Sequence, residues 1–124
     1  MTTAKLNPAI PQLPSGDLEK TALFFETQLG FKVAAKMLEH GFLSMKRDAT
    51  EIHFWKVSTE EAARTLGSQS SCYIRVENIK PLFNEFKERG ANFRYELTEQ
   101  PWGMNEMQID DPYLNAIRFG ESVD

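Results

Sequence analysis

The chain has little that would tie it together covalently or hold it in a membrane. Its single cysteine, Cys72, excludes an intramolecular disulfide, and its place among strand-forming residues reads as a small buried filler. No stretch approaches the roughly 18 consecutive apolar residues of a membrane span, and the N-terminus lacks the apolar core of a signal peptide. A soluble, cytoplasmic protein without a membrane partner is expected. Basic residues are in the minority, 14 Lys and Arg against 18 Asp and Glu, giving a formal charge of −4. That balance argues against nucleic acid, whose binders present a basic face. It leaves either ordinary solubility charge or a mild bias toward a cationic or polar small ligand. Low-complexity tracts and long linkers are absent too.

What is present suffices for a packed core: 41% hydrophobic residues, 11% of the chain aromatic, over 124 residues. One domain, 1–124, is the expected count. Within it the chain repeats itself. Asp17-Leu18 opens a stretch that ends at Leu23-Phe24-Phe25-Glu26 and Gly30; Asn78-Ile79 opens one that ends at Leu82-Phe83-Asn84-Glu85-Phe86 and Gly90. Asp17 and Asn78, Leu18 and Ile79, and Phe25 and Phe86 are each 61 positions apart. The halves run from about 7 to 57 and 71 to 121, with a connector at 58–70. Each half is too small to bury a sheet face alone, so the two should share one core and leave a concavity where they meet.

Apolar periodicity fills in the elements. A first strand is expected over Ala9–Leu13, an edge or strand start because of Pro11. Ser15 or Asp17 caps a helix whose apolar face is Leu18, Ala22, Phe25 and Leu29, stopped by Gly30. Strands follow at Phe31–Met37, Phe42–Lys46 and Thr50–Val57, then a polar connecting helix within Ser58–Gly67. The second copy gives a strand at Cys72–Val76, a helix at about Lys80–Arg89, and strands at Phe93–Leu97, Asn105–Ile109 and Asn115–Phe119. The fold class is α+β, two βαβββ modules.

Several motifs resemble those of a known group. Pro11-Gln12-Leu13-Pro14-Ser15-Gly16-Asp17-Leu18, Thr21-Ala22-Leu23-Phe24-Phe25-Glu26 and Leu29-Gly30-Phe31 look like the opening of the glyoxalase/bleomycin-resistance (vicinal oxygen chelate) superfamily. Glu99-Gln100-Pro101-Trp102-Gly103 is similar to the loop of its bleomycin-binding resistance proteins. Arg75 to Ile79 and Asp111-Pro112 extend the likeness over nearly the whole chain. The resemblance implies an intertwined homodimer with two ligand crevices built from both chains. It also implies an antibiotic-resistance protein that sequesters a bleomycin-like glycopeptide without catalysis and without a cofactor.

The superfamily's enzymes hold a divalent ion with four ligands, and those positions fall here at Ile10, His53, Ser71 and Arg118. An isoleucine cannot ligate and an arginine repels a cation, so no metal is expected. His53 lies on an alternating strand with Glu51 and Trp55 on its own face, and is either a ligand contact or a hydrogen-bonded histidine without a role. His40, beside Gly41, reads as exposed.

A large cationic drug with a flat bithiazole tail needs aromatic faces and acceptors. The resemblance implies ligand contacts at Phe42, Tyr73, Trp102 and Gly103, with Glu51, His53, Trp55 and Arg118 on the same crevice faces. Trp102 is alternatively a ring folded onto the chain's own core. Glu51, Glu99 and Glu106 are sources of negative charge, or simply solvated. Ala34 and Ala35 stand where the family pattern often carries an acid and an aromatic, and Leu114 replaces the glycine of its Asp-Pro-x-Gly-Asn turn. Two further readings are a metal-dependent lyase, dioxygenase or thiol transferase, and a binder of another small aromatic metabolite.

Overall fold

The computed structural model describes residues 2–124. The first half runs β1 (Gln12–Ser15), α1 (Leu18–Gln28), β2 (Lys32–Met37), β3 (Phe42–Arg47) and β4 (Thr50–Lys56). Helix α2 (Glu60–Gly67) then leads to β5 (Ser71–Arg75), α3 (Ile79–Glu88), β6 (Phe93–Gln100), β7 (Met104–Asp110) and β8 (Ala116–Ser122). Two four-stranded sheets result, in the orders β1-β4-β3-β2 and β5-β8-β7-β6. The same order in both is the repeat seen in three dimensions: an α+β pair of βαβββ modules. In each sheet the opening strand lies parallel to the last and the remaining pairs are antiparallel. No helix among the described residues is long and apolar enough to cross a membrane.

The apolar spacing of α1 decides its packing. Leu18, Ala22, Phe25 and Leu29 are all buried against the first sheet. Phe25 meets Phe54 edge-on at 5.1 Å between ring centroids. Its counterpart Phe86 meets Phe119 at the same 5.1 Å, so the echo in the sequence is an echo in aromatic packing. Both pairs belong to one continuous apolar cluster that also holds Ile52, Met107, Ile109 and Ile117. Cys72 lies in it as filler, and burial pushes its thiol up to about 12.

Strand β1 sits two to three residues later than the apolar run suggested. Pro11 has no N–H to give the ladder, but its carbonyl accepts from His53 N, and pairing starts at Gln12 opposite His53. The strand ends where Ser15 Oγ turns inward to Thr21 Oγ1, 2.7 Å away. The two modules are then joined by polar contacts. Arg47 donates to Leu29 O and to both oxygens of Glu85, and Arg89 donates to Glu85 and Thr27 O. On the other side Tyr113 is fully buried against α2, its hydroxyl on Glu60. A Cβ on Gly67 would stand 1.8 Å from the Tyr113 carbonyl oxygen, so only glycine lets α2 approach that turn.

Candidate functional site

Residues opposite each other on neighbouring strands share a face of the sheet. In the first sheet Leu43 and Phe54, and Met45 and Ile52, are paired and buried toward α1. The alternate positions therefore look the other way: Phe42 with Trp55, Ser44 with His53, Lys46 with Glu51, and Gln12 beside His53. The same logic applies to the second sheet. Cys72, Ile117 and Ile109 pack toward α3, so Tyr73, Arg118 and Gln108 line the open face in register, with Tyr95 at its edge.

On the first open face a small network forms around Glu51. Its Oε2 accepts from Ser44 Oγ at 2.9 Å and from His53 Nε2 at 2.7 Å, and these two bonds, that from His53 foremost, hold the carboxyl below its usual range. Phe42 stands edge-on to the imidazole, 4.9 Å between centroids, which fixes the ring from its other side. Trp55 completes the row and remains 45% exposed.

The second open face is built around Glu106. Beta strands β6 and β7 are joined by the three residues Pro101, Trp102 and Gly103. Gly103 adopts φ 82° and donates to Gln100 O, the geometry of a tight hairpin with a left-handed closing residue. That turn carries Trp102 at its tip, 65% exposed, with the indole N–H donating 3.0 Å to Glu106 Oε2. Tyr73 donates to the same oxygen at 2.5 Å. Burial first, and then the Glu106 bond, push the Tyr73 hydroxyl up to about 12, so it stays protonated and a donor. Its reach depends on Gly120, where a Cβ would stand 1.9 Å from the Tyr73 oxygen. Arg118, beside Tyr73, spends its Nε on Gln108 Oε1 at 3.0 Å.

The eight residues expected at a ligand site thus fall into two clusters. Phe42, Glu51, His53 and Trp55 share one face; Tyr73, Trp102, Gly103 and Arg118 share the other. No hydrogen bond or ion pair among the described residues links the two. Glu106, expected with Glu51 and Glu99 to be either a source of negative charge or solvated, is 3% exposed rather than solvated. A cavity of about 640 Å³ between the modules, lined by Phe31, Arg47, Leu82, Glu85 and Phe119, contains none of the eight.

The strand register also revises the four positions compared with metal ligands. His53 stands opposite Gln12 rather than Ile10, and Arg118 opposite Tyr73 rather than Ser71. Gln12 and His53 are competent donors, but a protonated phenol and a guanidinium complete the set, and no group of three His, Cys, Asp or Glu converges among the described residues. These residues do not fit a divalent ion.

Comparison with known proteins agrees with this architecture. The family model described as Glyoxalase/Bleomycin resistance protein/Dioxygenase superfamily matches residues 6–119. The bleomycin resistance proteins of Geobacillus stearothermophilus and Staphylococcus aureus are each 29% identical over 93% of this chain and 96% of their own length. The crystal structure of a bleomycin-binding protein complexed with bleomycin superposes with a TM-score of 0.78 at 22% identity, covering 94% of this chain and 99% of that one. A glyoxalase/bleomycin resistance protein/dioxygenase from Alicyclobacillus acidocaldarius gives 0.77 at 18% identity, over 95% and 92%. With its paired modules and a family match over nearly its full length, the chain belongs to the glyoxalase/bleomycin resistance protein/dioxygenase superfamily.

Proposed function

We propose that the protein binds and sequesters a bleomycin-family glycopeptide in the cytoplasm and releases it chemically unaltered. The observation that carries this reading is the exposure of Trp55, Tyr73 and Trp102 on faces that look away from the core. Three large rings left in solvent are costly unless something flat covers them. The polar groups between them, Glu51, His53, Arg118 and Glu106, supply donors and acceptors for an amine-rich ligand. The 29% identical bleomycin resistance proteins support the same assignment.

Two copies of the chain would complete the site, the Phe42–His53–Trp55 face of one meeting the Tyr73–Trp102–Arg118 face of the other. A homodimer with two such crevices follows, and resistance is then mass action: drug held in the crevice is withdrawn from DNA. No residue in either cluster is required to break or form a bond. A second reading, capture of a different cationic aromatic molecule, is favoured by β2, where Ala34 and Ala35 leave the middle of the strand without large side chains and a bulge interrupts its register.

Titration of the protein with bleomycin under tryptophan fluorescence tests the proposal. Saturable quenching at micromolar concentrations or below supports it. No quenching with bleomycin, but quenching with other cationic aromatics, transfers the site to the second reading.

A further inference from the structure

Within that proposed ligand site, the structure assigns Glu106 as the residue that reads ligand charge: a counter-ion for a cationic group carried on a flat aromatic ligand. Burying a carboxylate is costly without a cation or a full set of donors. The other shielded carboxylates meet that need within the chain. Glu51 has His53 and Ser44, Glu85 has Arg47 and Arg89, and Asp110 has Arg94. Glu121 accepts from the Asn78 and Ile79 amides, and Asp111 accepts on both oxygens from Tyr113 N, Asn115 N and Asn115 Nδ2. Glu106, 3% exposed, forms no salt bridge with any described Lys, Arg or His. Its partners are three neutral aromatic donors. Tyr73 and Trp102 both bond Oε2, at 2.5 and 3.0 Å, whereas Oε1 has only a 3.5 Å contact from Tyr95.

One oxygen is therefore fully engaged and the other nearly free. A carboxylate offers about four acceptor sites, and three rings around an under-used one form the arrangement that recognises an organic cation, by charge from below and by π faces from the sides. The rings border solvent at their outer edge, Trp102 being 65% and Tyr73 43% exposed, so a ligand meets them before it meets the carboxylate. Two basic groups share this face. Arg118 is held by Gln108, and Arg75 lies in the row of Gly120 and Glu106 with Gly120 between them. Neither occupies the free oxygen. Gly120 is the built-in feature that makes the arrangement possible, because any side chain there would displace Tyr73 from Glu106.

This inference rests on the ligand reading of the open faces but not on bleomycin itself. Its test uses two probes of one shape, the N-methylacridinium cation and neutral acridine at mildly alkaline pH, each titrated by its own fluorescence against the wild-type protein and Glu106→Gln. Glutamine still accepts from Tyr73 and Trp102, so it keeps the rings in place while removing the charge. The expected result is a preference for the cation in the wild type, and a loss of roughly tenfold or more in cation affinity in Glu106→Gln with acridine affinity changed less than about twofold. Equal losses for both probes would make Glu106 a holder of the rings only, and unchanged cation affinity would give it no part in binding; either overturns the inference. Bleomycin binding by the wild type, measured separately, stands or falls independently of these outcomes.

Discussion

Trp102 shows how much a single residue carries. Its place on a loop was legible from Pro101 and Gly103, but the three-residue hairpin was not: β6 runs on to Gln100 instead of stopping at Leu97, and Gly103 closes the turn at φ 82°. What the sequence could not show is the bond from its indole to Glu106, because that acid alternates with Asn105 and Met107 in a strand whose inner residues are buried on both faces. Trp102→Ala is expected to weaken bleomycin binding by about 2 kcal/mol, as stacked aromatic anchors do. Calorimetry on the variant checks it, and unchanged affinity would remove Trp102 from the site. Leu114 is a second case. It occupies the left-handed region at φ 70° in the turn where Asp111 Oδ1 accepts from Tyr113 N and Asn115 N, while its own side chain is 41% exposed. Backbone strain there outweighs what little packing the leucine provides. Leu114→Gly should stabilise the fold by about 1 kcal/mol, read as a higher midpoint in urea, and a lower midpoint would contradict that view.

Elements were more legible than their ends. Both long helices were visible from apolar spacing, yet the residues that start them act differently. Asp17 caps α1 with its own side chain, accepting from Glu19 N and Lys20 N. Asn78, its partner in the repeat, makes no side-chain cap and sits at φ 63°; Glu121 from β8 accepts from Asn78 N and Ile79 N instead. A distant strand thus supplies what a local residue supplies in the first copy, and no pattern within the chain reports it. These two backbone bonds hold the Glu121 carboxyl below its usual range. Glu121→Ala is therefore expected to speed hydrogen exchange at the Asn78 and Ile79 amides while leaving the first turn of α1 unchanged. Equal protection in both proteins would contradict the cap. The first strand was displaced for a related reason: Pro11 serves the ladder as an acceptor only, so an apolar run overestimated how early pairing begins.

At the scale of the molecule, the repeat made the two-module architecture readable, and the ionic clasp across the modules was not. Arg47 and Arg89 both bond Glu85, and the Arg47 bond foremost brings its carboxyl down to about 2. A depressed carboxyl stabilises the fold at neutral pH and loses that contribution as pH falls from its unfolded value, about 4.3, through the folded one. The pair is partly open to solvent, so screening reduces its worth to on the order of 1 kcal/mol. Wild type and Glu85→Gln should therefore differ in unfolding midpoint at neutral pH and converge toward pH 2. A difference that persists in acid would place the stabilisation elsewhere.

The separation of the two aromatic faces within one chain bears on assembly as well. Phe42, His53 and Trp55 have no hydrogen bond to Tyr73, Trp102 or Arg118 among the described residues, and the proposed crevice would draw one wall from each of two copies. On the proposed function such a crevice would bind one drug per chain and return it intact. Calorimetric titration with bleomycin, followed by mass measurement of the recovered drug, tests this most directly. Saturation at one drug per chain with the drug's mass unchanged is the predicted result; drug recovered as a modified product, or no heat of binding at all, would contradict it.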